Sequence, residues 1–409
     1  MCADNKYIKG VYVMEYQISN KMSGLKGSVI REILKLAGDP SIIAFGGGNP
    51  SPLSFPIEEI REITDKILRE DPIGMLQYSQ SEGYPPLRET LKKYIAERMN
   101  IGTEDDRILV VSGSQQAADL TAKCLLNEGD VVICETPSFV GCLNTFRSYG
   151  AKLVGVPLES DGMNTAKLEE ALQNNPNAKF IYVIPTFQNP SGITTSYEKR
   201  VKIYELAKKY NVPIMEDNPY GELRFRGEHI PPIKTLDKDG LVIYCGSFSK
   251  VMAPAFRVGF VCVHEALFSR MVVGKQCSDV HTNVLFQHIC QQYMEHYDYQ
   301  KHLADTCALY KGKCELMLGE IAKKFHPAVK YTRPDGGLFI MAYLPEGYDS
   351  QPFVVEAIKR KVACIPGAAF LPDADGVSNS FRLNFSTPSD EAIVKGIEIL
   401  GQLTHEWIK

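Results

Sequence analysis

The alternation of short and long apolar periods along this chain predicts an α/β protein. The expectation is a large unit with a mostly parallel seven-stranded sheet covered by helices, plus a smaller α+β unit. Three observations carry it. Between about residues 57 and 300, short runs rich in β-branched residues alternate with amphipathic stretches, as in a parallel sheet buried on both faces. A length of 409 residues provides ample core for two or three such units. No period of about 20–50 residues recurs, which excludes a solenoid.

Taken in order, residues 1–20 read as an irregular extended arm. Segment 27–36 has apolar residues at 29, 30, 33, 34 and 36, the spacing of an amphipathic helix, with Ser28 as its cap. An apolar run at 42–45 then empties into Gly46-Gly47-Gly48-Asn49-Pro50, where three glycines let the backbone approach a partner closely. The strands fall at 108–111, 131–134, 152–156, 180–184, 213–216, 241–245 and 258–263, with helical stretches such as 198–210 between most of them. Residues 283–324 read as one long, nearly continuous helix without proline. Segments 329–344, 354–361, 363–366, 381–385 and 390–401 form the smaller unit. The division expected is an arm at 1–20, a small domain from 21–48 and 307–409, and a large domain from 49–306.

Composition narrows the function classes. An apolar fraction of 44%, a charged fraction of 23% and a net charge of −4 describe an ordinary globular chain without the basic excess of a nucleic-acid binder. The segment Met1-Cys-Ala-Asp-Asn-Lys-Tyr7 has neither the apolar core nor the cleavage site of a leader, and nowhere do about 18 apolar residues run together. The expectation is a cytoplasmic protein without membrane or nucleic-acid partners. Eleven cysteines, scattered through apolar runs without a Cys-x-x-Cys, point to reduced core thiols. His264-Glu265 lacks the second histidine of a zinc helix because position 268 is Phe, so no metal is expected.

Ligands of open parallel sheets bind beyond the carboxyl ends of the strands, so those ends can be read as site parts. After 241–245 come Gly246-Ser247-Phe248-Ser249-Lys250, with Val251 and Met252 beside the lysine. Desolvation there lowers the pKa of the ammonium and frees an amine that can condense with a carbonyl. Arg257, seven residues on, returns a fixed positive charge to the same pocket. After 108–111, Ser112-Gly113-Ser114-Gln115-Gln116 opens a helix and presents N–H groups and hydroxyls suited to a phosphate. Phe139 follows 131–134, Asn189-Pro-Ser-Gly192 follows 180–184, and Asp217-Asn-Pro-Tyr220 follows 213–216. Singly, each is ordinary turn or cap chemistry. Together, Lys, Asp, Tyr, Asn, a stacking aromatic and a phosphate site are the complementary set for pyridoxal 5′-phosphate.

With these residues in place, the chain resembles the fold-type I aminotransferases of class I/II, and within them the kynurenine/α-aminoadipate aminotransferase branch. The resemblance runs from Ser28-Val-Ile-Arg-Glu-Ile-Leu34 and Phe45-Gly-Gly-Gly-Asn-Pro-Ser-Pro through Tyr78-Ser-Gln-Ser-Glu-Gly-Tyr-Pro-Pro-Leu-Arg88, Gly113-Ser-Gln-Gln, the Asn189 and Asp217 motifs and Ser247-Phe-Ser-Lys250 to Pro334-Asp-Gly-Gly-Leu-Phe339 and Arg382-Leu-Asn-Phe-Ser. Phe139 stands where this branch often has Tyr, which keeps ring stacking and removes a phenol hydrogen bond.

The resemblance implies a role for each matched residue. Lys250 would hold the cofactor covalently and move the Cα proton, Asp217 would pair with the ring nitrogen, and Tyr220 and Asn189 would bond the ring oxygen. Phe139 would cover one face of the ring. Ser114, Gln115, Ser247, Ser249 and Arg257 would hold the phosphate, with Tyr78 reaching the neighbouring subunit's phosphate in a homodimer. Gly47, Gly48 and Asn189 would line the substrate pocket, and Arg382 would grip the substrate carboxylate as a bidentate fork. The implied reaction is amino transfer from an aromatic, aminoadipate-like or broader range of L-amino acids to a 2-oxo acid such as 2-oxoglutarate. β-Elimination, racemisation and a ligand-sensing role on the same scaffold stay open at this level. A Ser-x-x-Lys hydrolase reading fails, because Ser278-Asp279-Val280 and Lys234-Thr235-Leu236 lack its companion motifs.

Overall fold

A computed structural model describes residues 7–8, 11–12, 16–23, 39 and 41–408. The helix expected at 27–36, with its Ser28 cap, lies outside the described residues. The arm is less irregular than expected, since Tyr7–Ile8 pairs antiparallel with Val11–Tyr12 and Asn20–Ser23 forms a helical turn.

All seven expected strands join one sheet. Its order is Asp106–Val111, Gly259–His264, Val242–Ser247, Ile214–Asp217, Ala178–Val183, Val131–Thr136, Lys152–Glu159 and Gly162–Met163. The eighth, two-residue strand is a hairpin return too short to leave a period in the sequence. Gly259–His264 runs antiparallel to both neighbours, while the strands from Val242–Ser247 across to Lys152–Glu159 are parallel. Side chains alternate between two covered faces. Val132, Cys134, Phe180, Tyr182, Met215 and Ile243 enter one core, and Val131, Ile133, Ile181, Val183, Ile214 and Val242 the other. With both faces buried, the strands read as continuous apolar runs.

Helices start where small polar residues cap them. The Asn164, Ser196, Asn283 and Ser389 side chains accept from backbone N–H groups of the first turns that follow. The same chemistry corrects one expectation, because 283–324 is two helices, Val284–His296 and Tyr299–Lys324. Tyr297 is extended, and Asp298 restarts the helix by accepting from the Lys301 N–H at 2.9 Å.

A second, four-stranded antiparallel sheet has the order Lys330–Tyr331, Phe339–Tyr343, Ser380–Asn384, Ile365–Pro366. Ile43–Ala44 pairs parallel with Val362–Ala363, and the Asn384 N–H donates to the Phe45 carbonyl at 2.8 Å. Gly396 of the last helix, Asp390–Trp407, allows this approach: a Cβ there would lie 2.5 Å from the Phe45 ring. These contacts carry Gly46–Gly48 to the Arg382 strand. Among the described residues, no helix is long and apolar enough to cross a membrane.

Candidate active site

The parallel strands end on one edge of the large sheet, and their last residues converge there. Asp217 closes Ile214–Asp217, Lys250 lies in the turn after Val242–Ser247, and Gly113 caps Ser114–Leu125 just beyond Asp106–Val111. All the expected site residues except Tyr78 and Gly47 line a single cavity of about 270 Å³. Tyr78 is 81% exposed and meets His281 edge-on, away from this cavity. Val140, Ile184, Pro219 and Pro254 complete the lining, although their apolar character had singled none of them out.

The Lys250 amine donates to the Gly48 carbonyl at 2.7 Å. Burial, helped by the charges of Arg257 and Arg382, lowers its pKa from 10.5 to about 8. An amine poised this way is a nucleophile near neutral pH. Asp217 is 2% exposed, and burial raises its carboxyl to about 7 against the opposing hydrogen bond from Tyr182.

Arg382, from the fully buried strand Ser380–Asn384, is held by two rings and two hydrogen bonds. Its guanidinium carbon lies 4.2 Å from the Phe339 ring centre and 4.8 Å from that of Phe370. Nη1 donates to Asn189 Oδ1 and Nη2 to the Gly46 carbonyl, both at 2.7 Å. The Asn189 amide then donates to the Tyr220 hydroxyl at 3.3 Å, so arginine, amide and phenol form one chain. Burial lowers the Arg382 pKa to about 10, leaving it a cation at neutral pH. The two stacking phenylalanines are functional neighbours that apolar strand and loop patterns do not distinguish from core.

Another part of the cavity lining forms a cup suited to an anion. Arg257 donates to Ser249 Oγ at 3.3 Å and to the Ser112 carbonyl at 3.2 Å, and Ser247 Oγ accepts from the Ser249 N–H at 3.1 Å. Gly113 has φ +77°, and a Cβ there would fall 2.3 Å from Arg257 Nη2, so glycine lets the helix start close against the guanidinium. The Gln115 side chain donates to Thr145 Oγ1 at 2.6 Å and to the Gly141 carbonyl at 3.1 Å, tying its helix to the one that begins after Phe139.

Buried polar atoms are normally paired, so exceptions mark places built for something else. Among the described residues, eight buried side-chain polar atoms lack a partner, and three of them, Ser114 Oγ, Asp217 Oδ1 and Arg382 Nε, belong to residues lining this cavity. A hydroxyl beside a cationic cup, a free carboxylate oxygen and a free guanidinium N–H fit a phosphate, a protonated ring nitrogen and a carboxylate respectively. That donor set matches pyridoxal phosphate carrying an amino-acid substrate. No group of three or more His, Cys, Asp or Glu side chains able to hold a metal occurs among the described residues.

Comparison with known proteins agrees with this geometry. The aromatic-amino-acid aminotransferase 1 of Thermococcus litoralis is 40% identical over 97% of this chain and 95% of its own length. The crystal structure of Pyrococcus horikoshii kynurenine aminotransferase, solved with PMP, KYN and KYA, superposes with a TM-score of 0.92 at 38% identity, covering 96% of this chain and 98% of that one. The α-aminoadipate aminotransferase LysN from Thermus thermophilus, complexed with N-(5′-phosphopyridoxyl)-L-leucine, gives 0.87 at 34% identity, covering 95% and 97%. The family model for aminotransferase class I and II matches residues 40–400. This chain therefore belongs to the class I and II aminotransferases and is a pyridoxal phosphate-dependent enzyme that transfers amino groups between amino acids and 2-oxo acids.

Proposed function

We propose that the amino donor is an aromatic or aminoadipate-like L-amino acid, within a broad range, and that 2-oxoglutarate is an acceptor. The names of the relatives support this reading, being aminotransferases of aromatic amino acids, kynurenine and α-aminoadipate. The observation that carries the amino-acid class as a whole is Arg382, a buried cation whose Nε has no partner, in the same cavity as the Lys250 amine. A guanidinium in that position binds an α-carboxylate and so turns Cα towards the lysine.

Pyridoxal phosphate, when bound, supplies an aldehyde that captures amino groups and a ring that accepts the electron pair left by the Cα proton. Each residue has a task of its own. Lys250 attaches the cofactor and then carries the proton from Cα, a task its lowered pKa suits. Asp217 presents its free oxygen to the ring nitrogen, and Tyr220 and Asn189 bond the ring oxygen. Phe139 covers one ring face. Ser114, Gln115, Ser247, Ser249 and Arg257 hold the phosphate, while Gly48 shapes the wall beside the substrate and Gly47 lies outside that lining. Tyr78, exposed on its own subunit, reaches the phosphate of a second copy in a homodimer.

The same reading divides the chain into an arm at 1–20, a large domain at 49–306 and a small one from 21–48 and 307–409, and puts the enzyme in the cytoplasm. A panel of amino donors with 2-oxoglutarate, scored for new keto acid and for glutamate, tests the specificity. Turnover of aromatic and aminoadipate-like donors is expected, and turnover confined to small donors such as alanine overturns it.

A further inference from the structure

We propose that Tyr182 is a positioning residue for amino transfer: its phenol fixes one oxygen of Asp217, favours the anionic form and leaves the other oxygen for the cavity. The inference rests on the assignment of Asp217 to the cofactor ring nitrogen.

Tyr182 lies in the apolar strand Ala178–Val183 and is 0% exposed. It registers with Met215 on the next parallel strand, and Asp217, two residues further, stands on the same sheet face. Its hydroxyl donates to Asp217 Oδ2 at 3.0 Å, the one hydrogen bond to this carboxylate among the described residues. Oδ1 is buried without a partner. One oxygen is therefore held by the protein and the other is left for the cavity. The phenol is itself fixed: its ring meets Phe146 edge-on at 5.3 Å, and Cys142 lies within hydrogen-bonding reach of its hydroxyl.

A buried tyrosine hydroxyl needs some partner, so the contact could be mere satisfaction of the core. The surroundings of Asp217 argue for more. The titratable groups facing it are Glu135, Cys142, Cys245, Tyr220 and Tyr182, from three strands, a helix and a loop, and none is a cation. Glu135 is itself raised to about 8 by burial. Among the described residues no positive side chain contributes to the Asp217 shift, and burial works against the anion. The Tyr182 O–H is what opposes that cost, since a hydrogen bond to the charged form favours it.

Infrared titration of the cofactor-free protein, with the Asp217 carboxyl band isolated by subtracting Asp217→Asn, tests this without relying on turnover. Tyr182→Phe should raise the Asp217 midpoint by about 1–2 pH units. Site-specific 3-fluorotyrosine at position 182, a stronger donor of the same shape, should lower it, and this keeps the test available if the Phe variant folds poorly. With cofactor bound, the acid limb of the single-turnover rate in Tyr182→Phe should move up by the same amount, so that the deficit shrinks at alkaline pH. An unchanged midpoint in either variant, or a deficit equal at every pH, overturns the proposal. Failure of the underlying reading looks different, because Asp217→Ala would then react at a normal rate whatever the infrared result.

Discussion

The two ends of the cavity hold their charges in opposite ways. Arg382 is sandwiched between two phenylalanine rings and bonded to Asn189 and Gly46, so almost every face of its guanidinium is occupied. Among the described residues, the Asp217 carboxylate has one hydrogen-bond partner, the Tyr182 phenol. On the proposed reading the arginine is held rigidly to grip the carboxylate common to all substrates. The aspartate is left under-partnered, which keeps it responsive to the cation that arrives with the cofactor. Both keep one buried polar atom without a partner, Arg382 Nε and Asp217 Oδ1, but the arginine is otherwise held by four neighbours and the aspartate by one. The lysine lines the same cavity, its amine lowered to about 8 by burial and by the charges of Arg257 and Arg382.

The largest expected effect does not distinguish the two ends, since both depend on the residue between them. Lys250→Ala should cost about 10⁴-fold or more in turnover, because covalent attachment and proton transfer go together, and the purified protein should lose its visible band. A variant that keeps both band and turnover would remove Lys250 from its role.

Asp217→Ala separates binding from chemistry. The anion cup is untouched, so cofactor should still copurify, measured by its absorbance, while turnover falls about 10²–10³-fold. Arg382→Lys keeps the charge but loses the fork and should cost about 2–3 kcal/mol, roughly 30- to 150-fold. That loss should appear equally with amino acid and keto acid, because both present the same carboxylate. The smallest effect is Phe370→Leu, which removes one stacked face from Arg382. A loss of about 1 kcal/mol, roughly fivefold in kcat/KM, is expected without change in cofactor affinity. An effect equal to that of Arg382→Lys would mean the ring does more than orient the cation.

The half of the site built at the strand ends was legible because its polar residues interrupt apolar runs. Lys250, Asp217 and the Ser112–Gln116 turn stand out as polar residues that abruptly end β-branched segments. Tyr182 was hidden by the opposite circumstance, since it sits inside such a run and reads as core. Arg382 entered through the resemblance alone, and no period marks Phe339 or Phe370 as its partners, because they meet it only after the second sheet has formed. The same limit applied to the fold. Seven strands could be read from composition, but the two-residue Gly162–Met163 return leaves too little sequence to read, and the Asp298 cap lies within an otherwise unbroken helical pattern.

The most direct test of the division between a gripping end and an electronic end is single-turnover reaction of Arg382→Lys and Asp217→Ala, each with an amino acid and with the corresponding amine lacking the carboxylate. Arg382→Lys should slow the amino acid and leave the amine as it is in the unmodified enzyme, whereas Asp217→Ala should slow both by the same factor. Equal slowing of both compounds by Arg382→Lys would contradict the assignment of that arginine to the carboxylate, and with it the separation of the two ends.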